Sequence, residues 1–561
     1  MSTRVRQGCA QPRSSPDRQQ VLGQPLTLHE PSPSVTYSGA MTRRTLTPWE
    51  LLMQRRIFRT LATGLATVLV ATIATFGAPS ARALTPAERS DVPIPSVTGA
   101  IPVTSTSRPF IDRLGPPRIA AKKAGYVEQE YFVSGRANVY SWSDNQPAVR
   151  TADAPYTTRI LVRMPDNGRT FSGTVWVEPL NPTLGIDLDR MWQLHYAQIL
   201  RDGDAWVGIT SKPITIAALQ KFDPVRYGSL SMANPLPADQ QTCGLLPGQP
   251  GYNANTSRLT ENGLIWDIMS QVGALLKSPK KANPLPRAAS VVYGEGWSQT
   301  GGYANRYLST FGPLNTTNGK QIYDGWLVGG PTGPTAINQC EGVSSATDPR
   351  QQIKPNGVPV LTYRTESDSW SFNYRRPDSD AKNDQFRLYE MAGTSHDSAT
   401  IYQNFAPDAD VAASGVTPVT TAVCGFVPPS GPNDFPYEDY FNAGAVNLKL
   451  WRLGVRPPTA ERFVYDGTTI ARDAYGNALG GLRSPYVDVP TASYGLPPGG
   501  ACPYIGTKTP FTAEQLGALY RSHTQYVALV TKGAAKQVAG RWVLPSAGIR
   551  IITEAVQADV P

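Results

Sequence analysis

The chain has 561 residues, 40% of them hydrophobic, with 50 Gly and 51 Pro, a globular and loop-rich composition with room for one large domain or two to three smaller ones. Its formal charge of +9 invites a polyanion-binding reading, but residues 1–83 hold ten Lys+Arg against three Asp+Glu. Residues 84–561 keep 42 against 40, so a nucleic-acid partner loses its support.

Residues 1–40 are rich in Pro, Ser and Gln without a hydrophobic period, the composition of a disordered segment, and Met41 or Met53 would serve as a translation start. Gln54 to Arg59 is basic, Leu61 to Phe76 is uncharged and modestly apolar, and Ala81-Arg82-Ala83 places small residues where a signal peptidase reads. Cleavage near Ala83 and export are expected. A stretch this short and this rich in Thr, Ala and Gly is a poor membrane anchor, so the membrane enters only through the export signal. Arg55-Arg56-Ile57-Phe58 partly resembles a twin-arginine signal, with Arg59 where an apolar residue is preferred, so ordinary secretion stays open.

Residues 84–124 form a Pro-rich N-terminal segment. From Gly125 the pattern alternates, and strands are expected over Tyr126–Trp142, Thr158–Met164 and Gly173–Glu178. Asp189 to Leu200 has a helical period with Met191, Leu194, His195 and Ile199 on one face, and Ala205–Thr210 is the next strand. Residues 228–262 read as an insertion, Gly263–Leu276 as a helix, Ser290–Tyr293 as a buried strand and Gly325–Gly329 as another. A second insertion covers 330–357. Strands follow at Val358–Tyr363 and Phe386–Met391. This alternation predicts an α/β fold with a mostly parallel central sheet flanked by helices. Residues 125–561 are read as one domain with those two insertions and a C-terminal helical and loop extension over 430–561. In that extension Tyr437–Leu453 looks helical, Thr512–Lys532 and Ser546–Val556 look partly helical, Ala474–Tyr494 is expected to cover the site, and no core pattern stands out.

Beyond Cys9 in the leader, four cysteines remain. In an oxidising compartment an even number suggests two disulfides, and of three connectivities Cys243–Cys340 with Cys424–Cys502 is preferred, because each pair joins loop-rich segments on one side of the chain. No Cys-x-x-Cys or His-rich spacing points to a metal, and no organic cofactor is implied.

Ser298 stands between the Ser290–Tyr293 run and a segment that can be helical, with Gly296 two residues before it. This is the form of a nucleophile elbow, a serine on a sharp strand-to-helix turn. The usual Gly-x-Ser-x-Gly has Thr300 here in its last place, with Gly301 and Gly302 one step late. A serine hydroxyl needs a base, and the base an orienting acid. Of four histidines, His29 is in the leader, His195 is read as a packed residue and His523 as exposed. His396 follows a strand across the small-residue loop Ala392-Gly393-Thr394-Ser395. The acid belongs after Val358–Tyr363, where Glu366 and Asp368 both qualify; Asp368 is favoured by its offset, with Glu366 the alternative. Asp397 adjoins His396 too closely to orient its ring. The order Ser298, Asp368, His396 is that of the α/β-hydrolases. An oxyanion hole would take one amide from Gln299 and another from Leu180 or Asn181, since Pro179 and Pro182 have no N–H to donate.

The chain is similar to the family of bacterial, often exported, alpha/beta hydrolase domain proteins. The resemblance rests on Gly125 to Phe132, Gly173 to Glu178, Ala205 to Ile209, Ser298-Gln299-Thr300-Gly301, Ala392 to His396 and Gly476 to Tyr486. It covers roughly Gly125 to the C-terminus and implies that Thr300 is an accepted variant. The family's early loop usually reads Glu-Trp-Leu-Asn-Val, where this chain has Glu178-Pro179-Leu180-Asn181-Pro182. An exported serine hydrolase acting on a small-molecule carboxylic ester is expected. An amidase, peptidase or acyltransferase with the same triad, or a non-catalytic binding protein on the same fold, stays open.

Overall fold

The structure is a computed structural model. It describes residues 89–561 except 111–115, 255, 333–334, 343–347, 369–374, 403–405, 419–423 and 497–503. The expected signal peptide and Cys502 lie outside the described residues.

Ten strands make the central sheet: β1 (Ser96–Val97), β2 (Tyr126–Ser143), β3 (Gln146–Pro165), β4 (Thr174–Pro179), β5 (Ala205–Ile209), β6 (Val291–Trp297), β7 (Gly325–Gly329), β8 (Val360–Thr365), β9 (Ser379–Ala381) and β10 (Asp384–Met391). Their spatial order is β9-β10-β8-β7-β6-β4-β5-β3-β2-β1. The six from β10 to β5 are parallel, and both edges are antiparallel. The parallel strands β5, β7 and β8 are buried along their whole length, which is why they read as short apolar runs rather than alternating ones.

β2 and β3 form one long hairpin. Asp144 and Asn145 turn it with φ of 49° and 62°, the left-handed pair that matches strand twist in a two-residue loop. The expected strand 158–164 is therefore only the inner end of β3. Its outer half carries Pro147, Arg150, Asp153 and Pro155 on an exposed ribbon, which hid it from a hydrophobic-period reading.

The main helices are α1 (Arg190–Asp202), α2 (Pro213–Phe222), α3 (Ile265–Lys277), α4 (Gln299–Arg306), α5 (Glu438–Arg452), α6 (His523–Ala539) and α7 (Pro545–Gln557). The stretch 512–532, expected to be partly helical, divides at Tyr520–Ser522, where Ser522 caps α6 by accepting from the Gln525 N–H at 3.2 Å. The extension also has a core of its own, contrary to expectation. Leu516, Tyr520, Tyr526, Val530 and Ile551 pack together, their period hidden by division among short helices. α5 instead joins the main core, with Phe441 against Trp297 and Tyr363.

Cys243 and Cys340 are bonded, tying the two insertions together. Cys424 is also disulfide-bonded, and its expected partner Cys502 is outside the described residues. Among the described residues no helix is long and apolar enough to cross a membrane.

Candidate active site

The C-terminal ends of the parallel strands carry the site. β6 runs to Trp297, and Ser298 turns the chain with φ 58° and ψ −122° before α4 begins. Such a φ is strained for a non-glycine residue and persists only where surrounding structure holds it. Here the Ser298 N–H donates to the Gly329 carbonyl at 3.0 Å, and the Gly302 N–H donates to the Ser298 carbonyl at 3.0 Å. Gly296 is obligatory, since a Cβ there would lie 2.2 Å from the Thr300 carbonyl oxygen. Thr300 fits because its side chain works within the turn. Its hydroxyl donates to the Trp297 carbonyl at 3.0 Å and accepts from the Trp297 N–H at 3.3 Å.

His396 reaches over from the loop after β10. Its Nε2 lies 2.8 Å from Ser298 Oγ and its Nδ1 lies 2.6 Å from Asp368 Oδ1. Asp368 closes the short turn Glu366–Asp368 after β8, and its second oxygen accepts from the Thr365 N–H at 2.8 Å and hydroxyl at 2.9 Å. Burial alone would raise the Asp368 carboxyl, but the His396 ring and the Thr365 N–H outweigh it and hold it below the usual carboxylate range. Burial likewise works against a charged His396, yet the Asp368 charge and hydrogen bond win, and the ring is raised above its ordinary value.

Glu366 does not face this histidine. One oxygen accepts from the Gly393 N–H at 2.6 Å and the other pairs with Arg472 at 2.6 Å. Asp397 turns to Arg190 rather than to the ring. His195 is fully buried, 2.6 Å from Glu295, and lies outside the cavity. His523, expected to be exposed, is half-buried near the Val556 and Val560 carbonyls.

Ser298 is only 5% exposed, and it is reached through a cavity of about 430 Å³. Ser298, Gln299, Thr183, Lys212, Trp266 and Tyr504 are among its walls. A small recess beside it brings Thr183, Arg190 and Tyr504 next to Ser298 and His396. The expected cover, 474–494, is not on either wall; from that side of the chain Tyr504 enters, its ring 5.5 Å from His396.

The Gln299 N–H opens α4 and has no acceptor among the described residues, so it is free for an anion at a helix N-terminus. The expectation for the opposite loop is overturned. The Leu180 N–H donates to the Ile209 carbonyl and the Asn181 N–H to the Leu188 carbonyl, both at 2.8 Å. Both amides are spent on holding the loop after β4. Asn181 serves instead as a brace, its Nδ2 donating to the Trp297 carbonyl at 2.8 Å while its Oδ1 accepts from the Thr183 N–H at 2.9 Å. That turn carries Thr183 to the wall beside Ser298. Thr183, Lys212 and Tyr504 had no signature in the sequence, since each is a common residue in a loop. Among the described residues no cluster of three or more His, Cys, Asp or Glu could hold a metal ion.

Residues 92–553 match the family described as Alpha/beta hydrolase domain. No curated protein matches the chain in sequence. Among solved structures, a glucuronoyl esterase from Solibacter usitatus is 9% identical with a TM-score of 0.24, over 53% of this chain and 85% of that one. A serine hydrolase without lid from Xanthomonas campestris is 9% identical with a TM-score of 0.23, over 50% and 93%. A lipase/esterase from Lactobacillus plantarum is 10% identical with a TM-score of 0.21, over 41% and 79%. At these identities and TM-scores none of them bears on this chain's chemistry.

Proposed function

The chain belongs to the alpha/beta hydrolase domain family, and from that premise we propose that it is an exported serine hydrolase of carboxylic esters. The observation that carries the reading is the unbroken line from Ser298 Oγ through both nitrogens of His396 to Asp368, opening on a cavity. Ser298 attacks the ester carbonyl while His396 Nε2 takes its proton. Asp368 fixes the tautomer and stabilises the imidazolium that forms. The proton then passes to the leaving alcohol, leaving an acyl-Ser298 that water, activated by the same histidine, hydrolyses.

The oxyanion would meet the Gln299 N–H. Thr183 is the candidate for the second donor, because it flanks Ser298 in both cavities and its hydroxyl has no partner among the described residues. Export rests on the pattern of residues 54–83, and the Cys243–Cys340 bond supports an oxidising compartment.

The test is labelling by a fluorophosphonate probe, beside the Ser298→Ala and His396→Ala variants, followed by turnover of short-acyl nitrophenyl esters. Wild-type labelling that both variants abolish is expected. An unlabelled wild type, or a labelled Ser298→Ala, overturns the reading. Secreted material should begin at Leu84.

A further inference from the structure

Lys212 stands just past the C-terminal end of β5, at the cap position of α2, and its side chain reaches the cavity wall that also carries Ser298 and Gln299. It is 8% exposed. Among the described residues no hydrogen bond or ion pair of its ammonium occurs, and it is the one charged residue on the wall of this cavity, whereas the adjoining recess carries Arg190 already paired with Asp397. Its ammonium is not sealed in the protein interior but opens on the cavity, so the partner it meets there comes from the cavity side rather than from the fold. Burial pushes it down to about 8, with no carboxylate nearby to push it back, and it still carries its proton at neutral pH for the most part. The other described residues on the wall of this cavity are neutral. Ile265, Trp266 and Tyr303 supply apolar surface, and Asn262, Thr332 and Thr335 supply uncharged polar groups. The cavity therefore offers one positive point, several neutral walls and the serine.

We propose that Lys212 is a specificity-determining residue that receives a free carboxylate of the substrate, so that the preferred esters carry an anionic group besides the ester bond. The inference rests on the hydrolase reading above and narrows it. A carboxylate bound here makes a charge-assisted hydrogen bond in a confined site, where removing either partner leaves the other buried and unpaired. A neutral ester of the same length leaves the ammonium unmet and has to occupy the site at that cost. The size of about 430 Å³ suits a small diacid half-ester or a short ester of a hydroxy acid rather than a long acyl chain.

The experiment compares kcat/KM for nitrophenyl hydrogen glutarate with nitrophenyl valerate, which share an acyl length and differ in the terminal carboxylate. A second arm compares acetoxybenzoate with phenyl acetate, placing the carboxylate on the leaving group. A preference for the anionic ester on the order of 10- to 100-fold is expected in one arm. The preference should collapse in Lys212→Met and survive in part in Lys212→Arg. Because the readout is a ratio, a general loss of activity does not mimic it. Glutarate should also raise the melting temperature of Ser298→Ala, and not of Ser298→Ala combined with Lys212→Met. That readout needs no turnover. A wild type that labels with fluorophosphonate yet prefers neutral esters in both arms overturns the Lys212 proposal alone, as does an anionic preference that persists in Lys212→Met. An enzyme that neither labels nor turns over any ester overturns the hydrolase reading, and the specificity role with it.

Discussion

Gly330 sits directly against His396: a Cβ on this glycine would lie 3.1 Å from the ring's Cε1 and 3.2 Å from Asp368 Oδ2. Its φ of +43° also lies where a side chain is disfavoured. Gly330→Ala should displace the imidazole by a few tenths of an ångström and cost about 1 kcal/mol in backbone strain. On the proposed mechanism kcat should fall roughly tenfold or more while the fold persists, since small misplacements of a reacting group are costly. Ester kinetics beside a melting curve check it. Wild-type kcat in this variant would mean the ring position is not under this restraint.

Asp368→Asn and Glu366→Gln should differ in turnover. The first removes the charge at His396 Nδ1 and should lower kcat on the order of 10³- to 10⁴-fold, and it also gives up the stability that the ionised Asp368 contributes at neutral pH. The second weakens the Arg472 pair and should cost about 1–3 kcal/mol of stability, with a far smaller effect on turnover. Paired kinetics and thermal denaturation decide; the reverse pattern would make Glu366 the acid.

The pH profile follows from the raised His396. The neutral ring is the base, so kcat/KM should fall as pH drops through the folded value, with a midpoint above the ordinary 6.5. In Asp368→Asn the residual activity should show its midpoint at lower pH, since that carboxylate outweighs burial in raising the ring. For stability the signs differ. The raised histidine contributes below its unfolded value and loses that contribution as pH rises through its folded value. The lowered Asp368 contributes above its unfolded value and loses that as pH falls through its folded value. A midpoint below 6.5 in the wild type would contradict the first part.

Thr183→Val removes a hydroxyl and keeps the shape of the side chain. If Thr183 donates to the oxyanion, kcat should fall on the order of 10²- to 10³-fold, with fluorophosphonate labelling slowed in parallel. Thr183→Ser should retain most of the rate. Equal rates for wild type and Thr183→Val would remove it from the oxyanion hole.

The Cys243–Cys340 bond closes a separation of 97 residues between two insertions, and Asn262, Thr335 and Ala336 of those insertions line the cavity. Cys243→Ser with Cys340→Ser should lower stability by about 2–4 kcal/mol. It should also raise KM more than it lowers kcat, because the walls loosen while Ser298 and His396 stay on the sheet. Melting with and without reductant, beside the kinetics of the double variant, tests both.

The order of elements was legible in the sequence. β7 matches its expected run residue for residue, and β4, β5, β8 and β10 lie within two residues of expectation. Parallel strands buried on both faces leave short apolar runs between loops, and that signal is local. Ser298 and His396 were legible for the same reason: each follows such a run, with glycines or small residues where a tight turn needs them. The outer half of β3 and the core of the extension were not, since an exposed ribbon and several short helices carry no long period.

Read alone, the sequence determined where the strands lie along the chain and which residue types wait at their ends. It left Glu366 and Asp368 as rivals two positions apart, and it offered the amides of Leu180 and Asn181 without saying where they point. Only the tertiary structure decided these. Asp368 meets the ring because β8 lies beside β10 in one register, which turns Glu366 toward Arg472 instead. The two amides are taken by Ile209 and Leu188 across the loop. Lys212 is one lysine after one strand until folding buries it in the cavity of Ser298 without a counter-charge among the described residues. Hydrogen bonds and burial join residues far apart in the chain, and a local pattern does not encode which distant partner each group will find.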